Sequence, residues 1–128
     1  MGKHLGQFQY RLLNNAVITN CQLKKWNILT HENCSFCGEH PETVIHLLLK
    51  CNISKQIWSD VFKYIAEATE ISIPFSDQEI LLGIQQYQFK DVLNLVFTIV
   101  KQYLYACRCV KKMPSVPLLI KKDWHWFG

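Results

Sequence analysis

The sequence lacks any apolar run of membrane length. Its most apolar stretch, 92–100, is bounded by Asp91 and Lys101, far short of the roughly 20 residues a spanning helix needs. Residues 1–11 contain no apolar centre of the kind that marks a secretory leader. These absences lead us to expect a soluble intracellular protein of the nucleus and/or cytoplasm, with no membrane partner. Charge is also sparse: 19% of residues are charged, and 14 Lys and Arg against 10 Asp and Glu leave a formal +4. Such a balance suits contact with a polyanion without requiring one. Strand–helix alternation is missing, which argues against thioredoxin-like use of Cys34 and Cys37. No Ser/His/Asp set, paired-acid motif or phosphate loop appears, so no catalytic residue is assigned and an independent hydrolase or transferase is disfavoured. Internal repeats and low-complexity stretches are absent too.

What is present is a chain of 128 residues, 49% of them hydrophobic, enough for one domain with its own core. The fold class expected is mainly α. Leu5, Phe8 and Leu12 fall on one helical stripe with Leu13 beside it, until Asn14-Asn15 stops the element. Thr19 to Gln22 has capping-box spacing ahead of Leu23 and Trp26. Residues 30–41 read as a structured loop, Pro41 as the first turn of the next helix, and Asn52 and Ser54 as a break and a new N-cap. Ile57, Trp58, Val61, Phe62 and Ile65 then recur at core spacing. Ser76 to Glu79 is a second capping box, opening a short helix that Gly83 ends. The stretch 90–112 is the longest expected helix, stopped by Pro114 and Pro117. A soft division near Glu70 separates a zinc-binding helical module, 1–70, from a helical C-terminal extension, 71–128, packed on it, unless the two run on as one continuous domain.

Six cysteines without an export signal point away from a disulfide framework. Cys34, Cys37, His46 and Cys51 stand in the spacing C-x2-C-x8-H-x4-C, a complete Cys3His donor set for one structural zinc ion. A closed set of four leaves no position for a catalytic water. The spacing sets its own geometric condition. Five residues apart on an unbroken helix, His46 and Cys51 would point about 140° away from each other. A break at Asn52 and Ser54 is therefore expected to release Cys51. Cys107 and Cys109 lie about 200° apart on a helix and read, with Cys21, as packing residues or free thiols. His31 and His40, which flank the loop, are the substitutes if one ligand is misassigned.

The run from Cys34-Ser-Phe-Cys37-Gly38 through Glu42-Thr43, His46-Leu47 and Cys51 to Trp58 resembles the zinc-binding domain that follows the reverse transcriptase of LINE-type (non-LTR) retrotransposons. Gln9 to Leu13 and Leu23 to Trp26 are similar to that family's lead-in. The resemblance implies a nucleic-acid-binding zinc module that helps hold template RNA or target DNA during target-primed reverse transcription, partnered by the reverse transcriptase domain of a parent polyprotein. Neither the polymerase's catalytic aspartates nor an endonuclease is present. The alternative is a zinc-stapled interaction or scaffold module that docks onto a polymerase without touching nucleic acid. Glu42 and Thr43 are explained here by helix-start chemistry.

Candidate contacts for RNA or for single-stranded or duplex DNA are Lys90, Lys101, Arg108 and Lys112, with Asn94, Thr98 and Tyr105 on the same stripe of the long helix. Trp124 and Trp126 beside Lys121-Lys122 are the stacking candidates. The competing reading of the stripe is the solvated side of a core helix. Three thiolates and one Zn2+ would lower the formal charge by one, so binding is expected to be weak and sequence-independent.

Overall fold

The computed structural model describes residues 3–69, 75–85, 90–117 and 119. It is mostly helical, with no strand among the described residues beyond an isolated antiparallel bridge between Asn33 and Pro41. None of the described helices is long and apolar enough to cross a membrane.

Helix α1, Lys3–Leu13, buries Phe8 and Leu12 and leaves Leu13 exposed. It closes at the expected Asn14-Asn15 pair. Asn15 adopts φ 56°, while the Ala16 and Asn15 amides donate back to the Arg11 and Leu12 carbonyls. This is the Schellman arrangement, whose left-handed position asparagine tolerates better than most residues. Helix α2, Asn20–Lys25, closes the same way on Asn27, φ 60°.

A loop then leads to one wide turn, His46–Lys50, in which the Cys51 amide donates five residues back to the His46 carbonyl at 2.7 Å. Helix α3, Asn52–Thr69, follows directly. Pro41 does not open a helix. It lies in the bridge to Asn33, and Thr43 caps the turn by accepting the His46 amide at 3.0 Å. Ser54 is not an N-cap either. It stands inside the first turn of α3, and its hydroxyl donates to the Leu47 carbonyl.

Helix α4, Asp77–Leu82, begins with the expected Ser76–Glu79 capping box and ends at Gly83, φ 117°. Helix α5, Lys90–Val110, is the spine, packed against α1, the wide turn and α4. Phe97 at its middle meets Trp58 and Phe62 of α3 edge-on at 5.7 and 5.9 Å, with Phe75 at 5.3 Å. Leu47, Leu48 and Leu104 are fully buried in the same cluster. Core residues from both sides of Glu70 therefore share one apolar interior.

The polar stripe of α5 turns inward along its middle. Lys101 is 1% exposed and donates to the Gln9 side chain of α1 at 2.7 Å and to the Leu81 carbonyl of α4 at 2.9 Å. Asn94 pairs with both the amide and the carbonyl of Ile84, at 2.7 and 3.0 Å. Thr98 is buried, its hydroxyl returned to the Asn94 carbonyl. Tyr105 donates to the Ile18 carbonyl. These groups face inward because each meets the polar end of another segment: the last carbonyls of α4, a loop backbone, or the chain leaving α1. The seam joins segments that apolar contacts alone would not hold in register.

Candidate metal centre

Cys34 and Cys37 sit in a loop pinched at its base by the Asn33–Pro41 bridge. Across it the Cys34 amide donates to the His40 carbonyl at 2.8 Å, and the Glu42 amide to the Glu32 carbonyl at 2.6 Å. The Gly38 amide folds back onto the Cys34 carbonyl at 2.9 Å, and Gly38 itself takes φ 70°, a conformation that favours glycine. That turn aims both sulfurs to one side. The Phe36 amide points at the Cys34 sulfur at 3.4 Å.

The other two donors come from the wide turn. An i→i+5 bond adds a residue to the turn, so His46 and Cys51 stack on one side instead of diverging as they would on an ordinary helix. The condition set by the spacing is met by this widening together with a break, which falls at Cys51, directly before the expected Asn52 and not at Ser54. Cys51 then leaves the turn with extended ψ, 138°. Widening strands carbonyls at the C-terminal end, and α3 supplies donors to them. Ser54 serves Leu47, and the Trp58 indole N–H serves Leu48 at 2.6 Å. Trp58 is buried and placed to do so.

The four donor atoms all lie within 4.8 Å of one another. Cys34 Sγ is 3.9 Å from Cys51 Sγ, and Cys37 Sγ is 3.4 Å from His46 Nε2. A tetrahedron with Zn–S of about 2.3 Å and Zn–N of about 2.0–2.1 Å requires S···S near 3.8 Å and S···N near 3.5 Å. The cluster is suited to one zinc ion.

The donors differ electrostatically. Burial pushes the Cys34 thiol up to about 12. Burial acts the same way on Cys37 but is outweighed by the Glu39 and His40 amides, which bring that thiol below its ordinary range. Burial first, then the neighbouring His40, lowers His46, favouring the neutral imidazole that ligates. Metal entry would displace the Cys34 proton. With every position taken by protein, the centre can staple structure but has no open position for a reacting water.

Sequence reasoning missed the group that holds this loop to the rest of the fold. Glu42 is 0% exposed. Its carboxylate accepts the Ser35 amide of the metal loop at 2.6 Å, the Asn20 amide at 2.9 Å and Arg108 Nε at 3.0 Å. Arg108 Nη2 donates in turn to Asn20 Oδ1 at 2.8 Å. Thr19 makes no capping bond, so the expected box at α2 is absent. Glu42 caps that helix from across the fold, its side chain taking the Asn20 amide and its carbonyl the Cys21 amide. Helix-start chemistry thus explains Thr43 at its own turn and Glu42 at a different helix. The signal available was an acid inside the cysteine loop and an arginine on the polar stripe of α5.

Arg108 is therefore a clamp, with its side chain 13% exposed. Lys90 and Lys112 are exposed at opposite ends of α5, about 33 Å apart at helical rise. The structure does not bring the four stripe cations together. Trp124 and Trp126 lie outside the described residues. Cys34, Cys37, His46 and Cys51 form the one metal-type cluster found among the described residues, and neither Cys21, Cys107, Cys109, His31 nor His40 belongs to it.

A protein-family model described as zinc-binding in reverse transcriptase matches residues 3–58, which include all four donors, Glu42 and Trp58. No curated protein and no solved structure matches the chain.

Proposed function

We propose that this chain is a structural zinc module of the type that follows the reverse transcriptase of LINE-type retrotransposons, and that it helps hold template RNA or target DNA during target-primed reverse transcription. The supporting observation is the coincidence of a closed Cys3His tetrahedron with the stretch matched by the reverse-transcriptase zinc-binding family. The module has no catalytic role in this reading. Zinc fixes the loop and the wide turn, the Glu42–Arg108 pair ties them to α5, and exposed lysines offer the charge for phosphate.

With Lys101 buried, Arg108 tied through Nε and Nη2 to Glu42 and Asn20, and Lys50 paired with Asp77, that charge comes chiefly from exposed lysines such as Lys24, Lys25, Lys55, Lys90, Lys111 and Lys112. So scattered a set supports affinity on the order of micromolar or poorer at physiological salt, strengthening as salt is lowered. Fluorescence anisotropy with labelled single-stranded RNA and DNA tests this on the zinc-loaded chain. Absence of binding at low salt, together with salt-insensitive capture of a reverse transcriptase domain, would replace the reading with the docking module.

A further inference from the structure

A cleft of about 570 Å3 opens between the metal loop, residues 33–38, and the C-terminal end of α5. Its apolar lining includes Leu29, Phe36 and Met113, and its cations are Arg108, Lys111 and Lys112. We propose that this cleft is the nucleic-acid site. It would hold one nucleotide unit of a single strand, with the base against the apolar lining and the phosphate against Lys111, Lys112 and the free edge of Arg108. The assignment rests on the function proposed above and locates it.

Three observations converge here. The volume falls in the ~300–1,000 Å3 range of pockets that enclose a small ligand, and offers no long surface for a duplex. The charge is complementary and in part unspent. Arg108 gives Nε to Glu42 and Nη2 to Asn20, while Nη1 has for a described partner only the weak acceptor Cys109 Sγ, at 4.0 Å.

The third observation is backbone geometry. Helix α5 closes by a Schellman motif, with the Lys112 amide donating to Cys107 and the Lys111 amide to Arg108. Its left-handed residue is Lys111, φ 59°. The equivalent positions after α1 and α2 carry asparagine, Asn15 and Asn27. Lysine has no local hydrogen bond to ease that conformation, and glycine would relieve it. A strained residue whose side chain lines a cleft points to a use for the side chain. Lysine near a helix C-terminus also complements the helix dipole, so the test has to separate a binding role from that structural one.

The probe is a fluorescein-labelled single-stranded oligothymidine, titrated against the full zinc-loaded chain across a range of salt. Lys111→Gly should leave the denaturation midpoint unchanged or raised, yet weaken the oligonucleotide about tenfold and lower the log–log salt slope by about 0.7. Lys112→Ala, which keeps its backbone capping bond, should weaken binding similarly. Lys63→Ala, on the exposed side of α3, should change it less than about twofold. Equal losses in all three variants would mean diffuse attraction and overturn the cleft, as would Lys111→Gly and Lys112→Ala binding like the parent chain. Displacement of the probe by polyglutamate of matched charge would also overturn it, since an acidic peptide would then satisfy the site. If the parent chain binds no oligonucleotide at low salt, the proposed function fails along with the cleft. If it binds but the two cleft variants are neutral, only the location fails.

Discussion

Glu42 joins three segments with one carboxylate, and what it contributes depends on how completely it is enclosed. A paired charge buried in this way is costly to orphan: removing one partner destabilises by about 3–5 kcal/mol. Glu42→Gln keeps the shape and one acceptor oxygen but leaves the Arg108 charge without a counterion. It should lower stability by on the order of 3 kcal/mol in denaturant unfolding of the zinc-loaded chain. Adding Arg108→Met should recover part of that loss, because the second change removes the stranded charge. Lys101 behaves in the opposite sense. Burial lowers its ammonium from 10.5 to about 8. Between those values the unfolded chain holds the proton and the folded chain sheds it. The folded state therefore carries the full burden below pH 8 and gains stability as pH rises toward 10.5, on the order of 3 kcal/mol in all. Lys101→Met should remove that rise. The measurement is the difference in unfolding free energy between parent and variant from pH 7.5 to 10.5, with zinc bound throughout. A pH-independent difference would count against it.

The wide turn His46–Lys50 is the element on which the metal set depends, and α3 braces it through two side-chain donors. Trp58→Phe keeps the ring in the core but withdraws the donor from the Leu48 carbonyl, a loss of about 1–3 kcal/mol. Ser54→Ala should cost a similar amount at Leu47. Since both act on the turn that presents His46 and Cys51, each should also weaken zinc, as competition with a chromogenic chelator would measure. The sequence shows this element only in outline. Donor types and spacing were enough to select Cys34, Cys37, His46 and Cys51, because tetrahedral chemistry restricts both. Capping residues likewise marked α4, and apolar period marked α3 and α5. A π-type turn has no composition of its own, and the same leucines fit an α-helix, so the break near Asn52 was legible and the widening before it was not. Ser54, with its serine, read as a cap for its own helix and instead satisfies the turn before it.

Across the whole molecule, the polar residues of α5 misled for a related reason. Period alone places Asn94, Thr98, Lys101, Tyr105 and Arg108 on one face, and polarity suggests water. Thr98 turns back on its own helix, but the partners of the other four, Ile84, Leu81, Gln9, Ile18 and Glu42, lie between 10 and 92 positions away, and no local pattern discloses them. Because this seam and the shared apolar cluster cross Glu70, the two sides are expected to unfold together. Chelating zinc, or Cys37→Ser, should melt the chain in one transition seen alike by α-helical circular dichroism and by Trp58 fluorescence, read in a chain with Trp26, Trp124 and Trp126 changed to Phe. Two separated transitions would restore the division at Glu70.

The Asn33–Pro41 bridge bears on how metal arrives and not only on where it rests. Its two hydrogen bonds close the loop from within the chain, so the entropy of bringing Cys34 and Cys37 together is already met before an ion enters. The pair would then be the first to hold an ion, with His46 and Cys51 completing the set from a separate element. Capture and release then answer to different halves of the donor set. In stopped-flow exchange with a fluorescent zinc indicator, Cys51→Ser should load at nearly the parent rate and let go sooner. A variant that cannot form the bridge, Cys34 and Cys37 intact, should load slowly.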